Sequence, residues 1–332
     1  MKKKIVAVLL TAVMAMGLAA CGSGTDAGAD ANTDDAKVYK VGIIQFVDDA
    51  SLNQIEKNIE TELDKKGKEL GVTFDYADYT FNGQADATTL NQITTQLISD
   101  EVDVIIPIAT PTAQIVQAAT EDNPIPVVFS AVSDPVGASL VASMDAPGSN
   151  ITGTSDALNT NTIMDMIFAA DPDADYIGLL YSKSEDASTQ AIADAKAYLD
   201  AKGVAYIEKT GTTTDEVSSA ADALVAEGVD AIFTPTDNTI MTAELAIYEK
   251  LADAKIPHYT GADSFALNGA FLGYGVDYAN LGVETADMVV EILVDGKNPA
   301  EMAVKTFDNG LATINTQTCA AIGYDLETVK AA

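Results

Sequence analysis

The 332-residue chain contains no arginine and no tryptophan; all 18 of its basic residues are lysines. No guanidinium fork is available to clamp a carboxylate or phosphate through paired hydrogen bonds, and there is no indole to stack on a sugar. One histidine, His258, and two cysteines, Cys21 and Cys319, are present, too few for a soft-ligand metal site, so no metal is expected. From Glu69 to Ser182 there is no basic side chain at all. With 50 acids the formal net charge is −32, a field that disfavours nucleic acid and anionic membrane surfaces. Phosphate-loop, zinc-protease and serine-hydrolase signatures are all missing, so neither an enzyme nor a cofactor is expected. His258, within "IPHYT", reads as a satisfied strand residue, and Asp48-Asp49 as solvated loop charges.

What is present begins with the N-terminus. Lys2, Lys3 and Lys4 precede Ile5–Ala20, a 16-residue run that is apolar or small except for Thr11. That is short of the roughly 20 residues needed to span a bilayer and fits an export signal over residues 1–20. Leu18-Ala19-Ala20-Cys21 resembles the bacterial lipoprotein box, which implies a lipid on Cys21. Such an anchor would hold the protein on the outer face of the cytoplasmic membrane, or in the periplasm, with no spanning helix. Residues 21–36 lack any large apolar side chain and read as a flexible tether. Cys319 is then left without a partner and reads as a small buried hydrophobe.

From Val38 onward, short apolar runs alternate with helical patterns. "KVGIIQF" reads as a buried strand, Asn53–Leu70 as a helix with Ile55, Ile59, Leu63 and Leu70 on one face, and "VTFDYADY" as a strand. Ala85–Ser99 follows as a helix, "VDVIIPIA" as a strand, Thr112–Thr120 as a helix and "IPVVFS" as a strand. This alternation predicts α/β architecture with parallel sheets and right-handed crossovers. The pattern then restarts: "DYIGLLYS", "GVDAIFTPTDN" and "KIPHYTGAD" answer three segments of the first half, with Asp103 and Asp230 127 residues apart and Pro126 and Pro257 131 apart. Two Rossmann-like lobes in tandem are the expectation. The helix Asp277–Gly296 and the segment "GLATINTQT" remain over, and could return to lobe one and then lobe two, making three hinge crossings. Lobe one is placed at 37–153 plus 277–303, and lobe two at 154–276 plus 304–332.

Ligands of such sheets bind at the carboxyl ends of strands, which fixes the candidate loops. "ATPTA" opens a helix where the hydroxyls of Thr110 and Thr112 stand beside free backbone N–H groups, an arrangement ready to hold an anion or merely to cap. "PTDN" is its counterpart, with Asp237 and Asn238 in place of the threonines. Asp237 could cap its helix or receive a ligand ammonium, and Asp263 could add to the acidic side. Ser155 and Asp156 fall at the presumed first crossing, and Ser130 ends a strand. Donors on one lobe and acids on the other suit a zwitterion. Phe46, Phe81, Phe129, Tyr181 and Phe265 stand near loop mouths; Phe46, Phe81, Tyr181 and Phe265 are candidates for the pocket, though aromatics after buried strands usually pack inward.

"VDVIIPIATPTAQ", "IPVVFSAVSDPVGASLV", "PGSNITGTSD", "PTDNT" and "GVDYANLGVETADM" together resemble the substrate-binding proteins of ABC transporters that include tryptophan- and tyrosine-binding lipoproteins. The resemblance runs from about Lys40 to Tyr324. It implies a type I periplasmic-binding-protein fold with three hinge crossings, and delivery of a ligand, often an aromatic amino acid, to a membrane permease driven by a separate ATPase. It places ligand contacts at Thr110, Thr112, the Ser130–Asp134 loop, Ser155, Asp156, Asp237 and Asn238. Where relatives often read Ser-Glu-Gly after the last strand, this chain has "GADSF". A monomer binding an amino acid is expected; a sugar or nucleoside binder, a ligand sensor and an exported α/β enzyme are the alternatives.

Overall fold

The structure, a computed structural model, describes residues 37–308 and 310–331, the last by its backbone alone. The export segment, the tether and the lipid site at Cys21 lie outside the described residues. Among those described, no helix is long and apolar enough to cross a membrane.

The first half of the chain forms β1 (Val38–Gln45), α1 (Ala50–Leu70), β2 (Thr73–Asp75), β3 (Thr80–Asn82), α2 (Ala87–Ser99), β4 (Val104–Ile108), α3 (Thr110–Thr120), β5 (Val127–Phe129) and β6 (Ile151–Gly153). The strands make one parallel sheet in the order β2-β1-β4-β5-β6, with β3 also paired to β1. After α4 (Thr160–Ala170) come β7 (Tyr176–Tyr181), α5 (Asp186–Lys202), β8 (Ala205–Thr210), α6 (Thr214–Glu227), β9 (Ala231–Thr234), α7 (Asn238–Asp253), β10 (His258–Thr260), α8 (Asp263–Leu267) and β11 (Leu272–Val276). These strands form a second sheet, ordered β8-β7-β9-β10-β11. The order is that of the first sheet repeated, which is what the tandem sequence pattern predicts. The chain then adds α9 (Tyr278–Leu293), β12 (Gly310–Ile314), α10 (Thr316–Ile322) and α11 (Leu326–Ala331).

Parallel strands covered on both faces read as continuous apolar runs, and Val41, Ile43, Ile44, Val104, Ile105 and Ile106 are fully buried. Helix α1 supplies one cover. Its Ile55, Ile59 and Leu63 are fully buried at helical spacing, each contributing roughly 1.5–3 kcal/mol, whereas Leu70, expected on the same face, is exposed at the helix end beside Gly71. Asp49 starts the helix by accepting from the N–H groups of Ser51 at 2.9 Å and Leu52 at 3.4 Å, and Gly71 ends it at a φ of +70°. Asp49 is thus buried and structural, not the solvated charge expected; only Asp48 is exposed.

Helix α9 returns to the first sheet by packing along α1. The approach is close enough that a Cβ on Gly282 would lie 2.6 Å from the Ile55 carbonyl oxygen, so only glycine fits there. The chain passes between sheets at residues 154–159, at 276–278 and again at 302–308. The first and third passages run side by side, with Lys305 N–H donating to Gly153 O at 3.0 Å and Ser155 N–H to Lys305 O at 2.8 Å.

Three local expectations are corrected. The strand read at "VTFDYADY" stops at Asp75, because Tyr79 N–H turns back to Tyr76 O at 2.9 Å, and β3 begins only beyond it, at Thr80. α1 and α3 begin earlier than read, at Ala50 and Thr110. β12 pairs antiparallel with β11 at the edge of an otherwise parallel sheet.

Candidate functional site

A small cavity lies where the carboxyl ends of the two sheets face each other, the place where ligands of such sheets bind. Its wall takes residues that follow β1 (Ser51, Leu52), β4 (Ala109, Thr110), β5 (Ala131, Ser133) and β6 (Asp156). The opposite side takes residues that follow β7 (Ala187), β9 (Thr236, Asp237, Asn238, Met241), β10 (Ala262, Phe265) and β11 (Tyr278).

On the first lobe the backbone is strained toward the cavity. Ala109 and Ala131 close β4 and β5 with φ of +80° and +56°, a region that costs an L-residue about 1–2 kcal/mol. Ala109 turns the chain so that α3 points its N-terminus at the cavity, and no side chain caps that terminus. Pro111 brings no N–H of its own. Thr110 and Thr112 are buried, and neither hydroxyl has a hydrogen-bond partner among the described residues. Only Thr110 lines the cavity. Two residues apart on a helix, the pair points to different faces.

The lining holds two acids, Asp156 on the first wall and Asp237 on the opposing side, and no lysine. Burial pushes the Asp156 carboxyl up from its ordinary 3.8 to about 6, partly offset by the Ser133 hydroxyl that donates to it at 2.9 Å. Asp237 is also raised by burial. Glu185, which accepts from Asn238 Nδ2 at 3.0 Å, is raised by burial and by the charge of Asp237. The two aspartates differ in what they have left to offer. Asp237 already accepts from Ser182 N–H at 2.7 Å, Ser188 Oγ at 2.7 Å and Ile240 N–H at 2.9 Å, three of about four lone-pair sites on a carboxylate. Asp156 accepts one side-chain hydrogen bond. Phe265 is backed edge-on by His258, ring centroids 6.4 Å apart. His258 Nε2 lies 2.8 Å from Thr234 Oγ1, whose own proton goes to Leu180 O, so Nε2 is the donor.

Hydrogen bonds cross between the lobes around this cavity. Gln114 on α3 donates to Asp186 on α5 at 2.7 Å. Thr236 and Ser133 hydroxyls meet at 2.8 Å. Ser51 and Gln54 on α1 both reach Asp263 on α8. The lobes are closed on one another.

Residues 40–327 match the family of ABC transporter substrate binding proteins. The chain belongs to that family. It is 31% identical over 326 residues to a tyrosine-binding protein of Clostridioides difficile (strain R20291), covering 96% of this chain and 92% of the relative. Among solved structures it resembles the ABC domain in complex with L-Trp from Streptococcus pneumoniae, at 32% identity and a TM-score of 0.80, covering 89% of this chain and 98% of that one. The ligand-free, open structure of a Clostridium difficile substrate binding protein with adhesive properties is 31% identical but has a TM-score of 0.66, covering 86% and 95%. At nearly equal identity the arrangement here is nearer the L-Trp complex than the open, ligand-free protein, in keeping with the bonds across the cleft. The two α/β lobes have the type I periplasmic-binding-protein fold. As a substrate-binding component of an ABC transporter, the chain is a binding protein and not an enzyme, and such proteins work outside the cytoplasm.

In this binding protein the cavity gathers Thr110, Asp156, Asp237, Asn238 and Phe265 from among the residues singled out in the sequence. The others lie elsewhere. Thr112 is buried behind Thr110's face. Ser130 bonds the Thr285 hydroxyl of α9 at 2.8 Å, and Ser155 donates to Ser133 O at 3.3 Å. Asp263 accepts from α1. Phe46 sits in the core and Phe81 packs on its margin, while Tyr181 donates to Glu208 at 2.7 Å. Sequence reading missed Met241 and Tyr278, and placed Ser51 and Leu52 in a candidate loop, residues 47–52, without singling them out. Tyr278 carried a signal, since it lies inside "GVDYANLGVETADM" at the second passage between lobes.

Proposed function

We propose that the protein is the extracytoplasmic binding component of an importer, closing on a zwitterionic amino acid with an aromatic side chain. The α3 N-terminus and the Thr110 hydroxyl hold the ligand carboxylate. Asp156 receives the ammonium, with Asp237 behind it as a second negative charge. Phe265, Leu52, Met241 and Tyr278 surround the side chain. The observation that carries this reading is a buried Thr110 hydroxyl, without a partner among the described residues, sharing one cavity with two raised aspartates and no lysine in the lining. The tyrosine-binding relative and the L-Trp complex support the aromatic choice. Its partners are a membrane permease and separate ATPase, reached by a monomer held through lipid on Cys21.

Thermal melting of the chain from Gly22 onward, against amino acids, sugars and nucleosides, tests this. A ligand at 100 times its Kd adds about 2.7 kcal/mol, which at about 2–4 °C per kcal/mol is a rise of roughly 5–10 °C. L-tryptophan or L-tyrosine gives that rise and sugars none. A rise with sugars or nucleosides and none with amino acids overturns the assignment.

A further inference from the structure

We infer that Asp263 is a latch between the lobes, a positioning residue that holds the closed protein shut without touching the ligand; the inference rests on the binding reading above. Asp263 is absent from the cavity wall. Its two carboxylate oxygens are each taken by the opposite lobe: Oδ1 accepts from Ser51 Oγ and Oδ2 from Gln54 Nε2 at 2.9 Å. Ser51 and Gln54 are three apart, hence on one face of α1. The next residue completes the grip, as Ser264 N–H donates to Ser51 Oγ at 3.2 Å. Three hydrogen bonds between lobes therefore rest on two consecutive residues of α8.

The placement also has an electrostatic reason. Ser51 and Gln54 lie in the first turns of the 21-residue α1, where the aligned peptide dipoles favour a negative charge. One group opposes it. Asp49, the cap of α1, is itself a carboxylate, and the Asp263 charge helps raise its pKa, after burial as the main cause. Attraction to the helix end and repulsion by its cap leave a contact that forms on closure and lets go again. The other crossings, Gln114 with Asp186 and Ser133 with Thr236, join one side chain to one; among the described residues only Asp263 engages two side-chain donors of the opposite lobe with a charged group.

A latch outside the cavity acts on release and leaves encounter alone. The probe is L-tryptophan, whose indole is the only one in the sample because the chain has none, followed by stopped-flow fluorescence with the full chain. Asp263→Ala is expected to speed dissociation about tenfold or more with association within about twofold, and Asp263→Asn to fall between. Ser51→Ala added to Asp263→Ala should cost little more than either alone. Unchanged dissociation in both Asp263 variants, or equal losses in association and dissociation, overturns the latch. A second arm needs no ligand. With Cys21→Ser and Cys319→Ala, cysteines at Gln114 and Asp186 are joined by a short bis-maleimide, which traps closed molecules. Asp263→Asn slows this trapping at least about threefold if the latch is real, and equal rates contradict it. Failure of the unsubstituted protein to bind L-tryptophan would instead defeat the ligand reading, and the trapping rates would then decide the latch by themselves.

Discussion

Asp156→Asn should lower affinity for an aromatic amino acid by between about thirtyfold and a few thousandfold, and leave the ligand-free protein no less stable than before. Removing one partner of a buried, hydrogen-bonded charge pair costs about 2–5 kcal/mol in binding, which sets the range. Stability moves the other way because the Asp156 carboxyl is buried and raised by that burial in the closed protein; an amide has no charge to desolvate. Its one side-chain donor, Ser133, can bond an amide oxygen as well as a carboxylate. Asp237→Asn is a poorer experiment. It breaks acceptance from Ser182 N–H, Ser188 or Ile240 N–H, so loss of binding and loss of the α7 cap arrive together. Calorimetric affinity with the melting temperature of the free protein checks the prediction. Affinity within threefold of the unsubstituted protein would remove Asp156 from the site.

Affinity should also fall about tenfold from pH 7 to pH 5. Asp156 titrates near 6 in the closed, unliganded protein and near 3.8 when unfolded. Between those values the folded protein holds a proton that the unfolded chain has released. Stability from this group is therefore present at low pH and is lost as pH rises through about 6, an effect of about 3 kcal/mol. A ligand ammonium reverses the sign. It needs the ionised carboxylate, so below about pH 6 each unit of acidity weakens binding about tenfold. The empty closed form is correspondingly disfavoured at neutral pH, which leaves the ligand's charge to stabilise closure. In Asp156→Asn the slope should become shallow, the remainder belonging to Asp237 and Glu185. A slope as steep in the variant would place the titrating group elsewhere.

Much of this architecture is readable from the chain because parallel α/β folds leave a strong pattern. Buried runs such as "VDVIIPIA" recur at a nearly constant offset, and the two sheets share one strand order. What the pattern does not encode is strand direction at an edge: nothing in Gly310–Ile314 says that it pairs antiparallel. The split of β2 from β3 is hidden because Tyr76-Ala77-Asp78-Tyr79 alternates as a strand would while its backbone turns. At the site, the rule that ligands sit at carboxyl ends of strands finds the right loops, but which residue of each loop faces inward depends on a one-residue phase. Ser155 and Asp156 are neighbours pointing apart, as are Ser130 and Ala131. Met241, a turn into α7, and Tyr278, brought in by the second passage between lobes, depend on packing that only the folded chain supplies.

The central claim is that a cavity without guanidinium or ammonium groups recognises both ends of a zwitterion at once, through a helix terminus and an aspartate that share its lining. Isothermal titration with L-tryptophan, tryptamine and indole-3-propionate tests it most directly, since the two analogues keep the ring and remove one charged end each. The account predicts that both analogues bind at least about a hundredfold more weakly than the amino acid, and that Asp156→Asn lowers affinity for L-tryptophan and tryptamine far more than for indole-3-propionate. Equal affinity for L-tryptophan and either analogue would contradict it.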